Sequence, residues 1–353
     1  MTCVRAAAPA RRCRELTNVA WKSSGVLVLA AVCSAALLSW GAAVLWLSPT
    51  PRGSQPASER QAPSARRAES LPALVTTLYE QATSAYHARL FVDDEGVVLI
   101  TQSGFTTIRP GAAAEEHALS LGPVAVRQGG AVVFWRSGKL RSVSLSGADE
   151  RELAVVPLAP QYLLASESNL AWIHTDRQHG TSLQTLSGGQ VRLVHAVQDS
   201  VSACVLHGGS VYWVSEARGG AWSIGRVDLD GGRACSTPAQ RGRPPAMLAA
   251  GRDGVYFYGG PQRGVRRLSF DLEQETAVLT QVVCSPLVVS SRVVCAQVGG
   301  LFEIAPAVRA PRPLAAERAG PITATAATDA RAYWVAESGG ARLIVRSVAL
   351  PEL

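Results

Sequence analysis

Ser210-Val-Tyr-Trp-Val-Ser-Glu216 is a run in which side chains of alternate residues point to opposite faces if it is a strand, and both faces are apolar at its centre. Such a strand must be covered on two sides. Gly254-Val-Tyr-Phe-Tyr258 and Arg331-Ala-Tyr-Trp-Val-Ala-Glu337 repeat the pattern. Looser copies are Gly96-Val-Val-Leu-Ile100, Ala131-Val-Val-Phe-Trp135, Asn169-Leu-Ala-Trp-Ile173 and Arg292-Val-Val-Cys-Ala296. Their first apolar residues fall at 97, 132, 170, 211, 255, 293 and 332, a spacing of 35 to 44 residues. That is the period of a four-stranded propeller blade. Seven copies predict seven blades, with one side of each repeat strand meeting one neighbouring blade and the other side the next.

The sequence around the copies agrees. Short runs rich in Val, Leu, Tyr and Trp alternate with turns rich in Gly, Ser and Asp, and a short turn near Glu80–His87 is the only helical pattern after residue 72. The seventh copy is followed by one further strand run, Leu343–Val348, which leaves its blade a strand short. An unassigned apolar segment, Leu74-Val-Thr-Thr-Leu-Tyr79, resembles the outer strand Val191-Arg-Leu-Val-His195. Residues 73–80 are therefore expected to complete the seventh blade and close the ring.

The first fifth of the chain reads differently. The 353 residues carry a net charge of +7, yet residues 1–71 hold nine Arg or Lys against three acids, and residues 72–353 hold 25 against 24. The near-neutral remainder argues against a nucleic-acid-binding body, whose positive charge sits on the folded surface. From Gly25 to Leu47 the chain has 23 residues without a charge, about 35 Å as a helix, enough to cross a bilayer. Five cations precede this run and four follow it, a bias toward a cytoplasmic N-terminus. The segment 48–71, rich in Pro, Ser, Ala and Arg, reads as a flexible tether. The expected organisation is a short cytoplasmic segment over 1–24, a transmembrane anchor over 25–47, a linker over 48–71 and an all-β seven-bladed propeller over 72–353. The ring would stand outside the cytoplasm, in the periplasm or cell envelope. The alternative is a secreted product, released by cleavage at Gly41-Ala42-Ala43.

At the motifs Val211-Tyr212-Trp213 and Ile224-Gly-Arg-Val-Asp-Leu-Asp-Gly231 the chain resembles the Tyr-Trp-Thr-Asp class of propellers and, more loosely, bacterial TolB-like propellers. Val214 and Val335 replace the Thr, the acid is displaced to Glu216 and Glu337, and that class typically has six blades. The resemblance implies an extracytoplasmic binding or scaffolding ring and transfers no functional residue.

Four cysteines, Cys204, Cys235, Cys284 and Cys295, fall in the propeller, and an even number permits pairing. Cys284 with Cys295 would cross-link a hairpin; Cys204 with Cys235 would pair within one blade. The other reading is four small buried hydrophobes. No nucleophile elbow, zinc helix, dinucleotide fingerprint or phosphate loop is present, and no cofactor is expected. Two imidazoles and a carboxylate in His174-Thr-Asp176-Arg-Gln-His179 are a weak metal-ligand set, better read as a solvated polar turn. Asp228-Leu-Asp230-Gly231 reads as a hairpin turn and lacks the later acids of a calcium loop. Turns after the repeat strands emerge on one face of the ring and carry Arg136, Asp176, Arg177, Glu216, Arg218, Arg263 and Glu337, with Arg241 and Arg243 nearby. This mixed-charge rim is the candidate surface for an envelope protein or small ligand. The expected function is a membrane-anchored binding or scaffolding module. Its rival is a propeller lyase or hydrolase with a site at the channel mouth, for which the His174 cluster is the foothold.

Overall fold

Each of the seven repeat runs becomes the second strand of its own antiparallel sheet. A computed structural model of the chain describes residues 75–351, apart from 83–87, 94, 177–179, 286, 291, 305–310, 340 and 341. The second strands are Gly96–Thr101, Ala131–Arg136, Leu170–Asp176, Ser210–Glu216, Val255–Tyr258, Val293–Gln297 and Arg331–Ser338. Among the described residues the strands fall into seven sheets, taken here as blades one to seven in chain order. The first strands are Arg89–Asp93, Ala125–Gln128, Tyr162–Ala165, Ser200–His207, Leu248–Ala250, Leu287–Val289 and Ile322–Ala327. From blade two round to blade one each touches the next; between blades one and two the contact runs through Gly96–Thr101. They surround the axis, so the described residues form an all-β seven-bladed propeller.

Packing follows from the two-residue period. Tyr212 and Val214 pack between blades four and five, with Val255 and Phe257. Val211 and Trp213 point the other way, between blades three and four, against Ala171 and Ile173. The same division holds round the ring, giving seven apolar clusters, one at each blade boundary. Two of the turns leading into second strands need glycine. Gly96 and Gly254 have φ of +147° and +158°, and a Cβ at either would strike the carbonyl of Ile108 or Leu268 in the third strand.

The seventh sheet is completed by the first strand of the described chain. Thr76–Ala82 pairs antiparallel with Arg342–Ala349, from Thr76 opposite Ser347 to Ala82 opposite Arg342, with an irregularity between Thr77 and Tyr79. Its span is shifted from 73–80, and Glu80 lies in this strand and not in a helical turn. Glu80 pairs with Arg342 at 3.1 Å, while the Tyr79 hydroxyl donates to Glu116 Oε1 of blade one at 2.5 Å. The strand therefore touches both ends of the ring. Arg292 and Glu303 form an ion pair buried within blade six at 2.9 Å, and Arg292 also donates to the Pro351 carbonyl.

Cys284 and Cys295 are joined by a disulfide with their Cα atoms 5.1 Å apart. Cys204 and Cys235 are both free, which corrects the second pairing considered from the sequence. Cys204 lies on the first strand of blade four and Cys235 on the fourth, at opposite edges of the order first–second–third–fourth. Three strand spacings put them about 14 Å apart, twice the reach of a disulfide. No helix among the described residues is long and apolar enough to cross a membrane, and residues 25–47 and the tether lie outside those described.

Candidate functional site

Antiparallel strands bring the second-to-third turns and the connections between blades to one end of every sheet. This face carries the predicted rim, spread over blades two, three, four, five and seven, and its members are not equivalent. Arg136 ends its strand in an ion pair with Glu150, which also holds Arg141 at 2.7 Å, and its guanidinium lies 5.2 Å from the centre of the Phe134 ring. Arg263 is tied down further. It pairs with Glu275 at 2.6 Å, donates to Gln240, and stacks 5.7 Å over the Trp222 ring. Glu275 also binds Arg266 at 2.8 Å and Gln240 at 3.2 Å. Arg136 is tied within its own blade, and Arg263 ties blade five to Gln240 and Trp222 of blade four; the charge of each is spent on neighbouring strands.

Glu216, Arg218 and Glu337 present side chains without a side-chain partner among the described residues. Arg218 is exposed in a turn closed by hydrogen bonds between Ala217 and Gly220 and between Ala217 and Ala221. The Glu216 carbonyl accepts the Ser200 hydroxyl at 3.2 Å, and the Glu337 amide donates to the Pro321 carbonyl at 3.0 Å. Glu216 and Arg218 share one turn, and Glu337 stands three blades away. Arg241 is fixed by pairing with Ala221, and Arg243 lies near the Tyr258 phenol.

Of the weak metal set, His179 lies outside the described residues, as does Arg177 of the rim. His174 is half-buried opposite Ser182, whose hydroxyl is 3.1 Å from its Nε2. Burial lowers its pKa, with Asp176 opposing. Among the described residues no three His, Cys, Asp or Glu side chains are grouped to hold a metal. Asp228 accepts hydrogen bonds from the Ser210 hydroxyl at 2.5 Å and Arg226 at 2.9 Å, which hold its carboxyl below the ordinary range. It serves a turn, closed from the Gly231 amide to its carbonyl at 3.2 Å.

One feature of this face was not marked by the sequence. A cleft between blades six and seven is lined by Val298, Gly299, Glu317, Arg318, Gly320 and Pro321. Val298, at the tip of the turn after the second strand of blade six, is fully exposed, and Arg318 is exposed beside it with no carboxylate partner among the described residues. Glu317 forms the floor. It accepts from Trp334 Nε1 at 2.6 Å, Arg346 at 2.8 Å and the Ala319 amide at 2.7 Å, so its charge is fully used. The signal was present in Glu317-Arg-Ala-Gly-Pro321, but only the position of this connection beside the Val298 turn gives it meaning.

No protein-family model and no curated protein sequence matches the chain. Among solved structures, the AfRom2 CNH domain is similar at 8% identity and a TM-score of 0.52, over 79% of this chain and all of that one. BamB from Moraxella catarrhalis is similar at 14% identity and a TM-score of 0.45, over 78% of this chain and 98% of that one. At such identities the likeness to the CNH domain shows a shared fold alone, and the overlap with BamB is too loose to argue from.

Proposed function

We propose that the chain is a membrane-tethered propeller of the cell envelope, distantly related to the Tyr-Trp-Thr-Asp or TolB-like rings, that binds a partner protein on the face bearing the second-to-third turns. The cleft between blades six and seven carries this reading. It sets a fully exposed apolar side chain, Val298, beside an uncompensated cation, Arg318, over a floor whose polar groups are already satisfied. Such a site gains from covering Val298 and from an acidic group placed near Arg318, and needs no rearrangement beneath them. The uncharged run 25–47 and the polar segment after it support the tether, and the Cys284–Cys295 disulfide supports an oxidising compartment.

Two measurements test the proposal. A photo-activatable residue at position 298 of the full chain should give a discrete adduct in cells, and one at exposed Glu95, on the opposite face, should not. Adducts absent at 298, or equal at both positions, would overturn the docking face. A membrane-impermeant maleimide applied to intact cells should label exposed Cys235 and spare Cys3 and Cys13; the reverse pattern would place the ring in the cytoplasm.

A further inference from the structure

Arg89 opens the first strand of blade one, at the axial end that carries the second-to-third turns. Register places it opposite Ile100, three residues beyond the start of its repeat; Tyr162 of blade three stands opposite Ile173, at the same level. Both therefore belong to the layer at the mouth of the axial channel. Arg89 is half-buried and uses one hydrogen bond, from Nη1 to the Ala125 carbonyl of blade two at 3.0 Å. Four of its five N–H donors remain. Of the other half-buried or buried arginines, 127, 136, 141, 226, 263, 266, 267, 292 and 346 each have an acid, and Arg331 instead donates to the Ser347 hydroxyl. Arg89 has none among the described residues. Its titratable neighbours are Tyr162 and Cys204, on blades three and four, and burial keeps both protonated. A cation removed from water without a counter-charge is costly, and a bound anion relieves the cost.

We propose that the mouth of the axial channel is an oxyanion site in which the Arg89 guanidinium binds a carboxylate or phosphate and the Tyr162 hydroxyl donates a further hydrogen bond. The planar fork suits two oxygens of one anion. Tyr162 donates to the Val201 carbonyl at 3.4 Å, a long contact that a charged acceptor would replace, and the Gln161 side chain bonds to the same hydroxyl. The oxyanion comes either free in solution or from an acidic side chain of a protein seated over the ring. The inference rests on the ring alone and stands apart from the tether and the Val298 cleft.

Thermal unfolding of the full chain in detergent micelles tests it, with acetate, inorganic phosphate or a short glutamate-rich peptide added at constant ionic strength against chloride. At tenfold its dissociation constant a bound probe should raise Tm by about 2 °C. Arg89→Gln should abolish the shift, Arg89→Lys should keep part of it, and Tyr162→Phe should weaken binding about tenfold. A response to acetate or phosphate identifies a free oxyanion, and a response to the peptide alone identifies a protein carboxylate; both support the site. No response to any probe, or an undiminished response in Arg89→Gln, overturns it. Should that variant not fold, Tyr162→Phe decides, and unchanged binding in it overturns the proposal.

Discussion

Trp213 fits between blades three and four because the residue opposite it on the third strand, Gly225, has no side chain. A Cβ at 225 would enter the indole ring, while the His195 ring lies 5.4 Å from it, centre to centre. Two effects oppose each other in Gly225→Ala. Removing a glycine from a strand gains about 0.4–1 kcal/mol through the unfolded chain, whereas overpacking a filled core costs about 1–3 kcal/mol. Trp213 is buried and held by its own strand, so the clash wins, and Gly225→Ala should lower stability by about 1–2 kcal/mol in urea unfolding. Tyr79 allows a prediction with pH. Burial first, then its hydrogen bond to Glu116, push its phenol up to about 12 from the ordinary value near 10. Its folded pKa is raised, so its contribution is complete below about pH 10 and is lost as pH rises toward 12. Chemical unfolding across that window should show stability falling in the wild type and falling less steeply in Tyr79→Phe.

At the scale of the strand, legibility depends on burial. Second strands are covered on both faces, so their alternation survives in the sequence as Val-Tyr-Trp or Val-Val-Phe, and all seven were readable. Fourth strands are edges with one side in solvent, and their pattern is weak. Blade four shows the extreme. Its outer edge is two pieces, Cys235–Ser236 and Gln240–Arg241, parted by Thr237, Pro238 and Ala239, and nothing in the residues announces either. Two ion pairs of the rim were hidden for the same reason. Arg136 and Arg263 looked available because their partners, Glu150 and Glu275, lie beside or in weakly patterned outer strands. Arg89 went unmarked because its lack of an acid is visible only once seven first strands meet at the axis. The disulfide acts at this scale too. It fixes the segment before the first strand of blade six to the second strand, at the boundary with blade five, over a sequence separation of 11 residues. Closing so short a loop is worth about 3 kcal/mol, so Cys284→Ala/Cys295→Ala should lower Tm by about 6–10 °C. Equal midpoints in the two proteins would mean that the apolar cluster alone holds that boundary.

The ring as a whole has seven boundaries of similar build, and the one between blades seven and one differs in its covalent history. Six are crossed by a chain connection running from one blade's last strand to the next blade's first. Blades seven and one are instead joined by Thr76–Ala82, which enters the seventh sheet from the other end of the chain. Leu78 and Tyr79 cover the cluster of Leu90, Val97, Val335, Leu343 and Val345, and Glu80 and Tyr79 bond to Arg342 of blade seven and Glu116 of blade one. A propeller with an open boundary exposes both the face of that cluster and the edge of Arg342–Ala349, the kind of edge on which chains aggregate. Deleting residues 76–82 removes two half-buried apolar side chains, at about 1.5–3 kcal/mol for each one fully buried. Half burial of the pair makes the loss about 2 kcal/mol, which corresponds to about 5 °C in Tm for a domain of this size. The deletion should unfold earlier as a single transition, because blade boundaries share strands and the loss of one loosens its neighbours. It should also become prone to concentration-dependent association, read by light scattering. If instead blade seven melts alone in a separate early transition while the other blades keep the wild-type midpoint, closure contributes locally, and the ring is a row of independently stable blades.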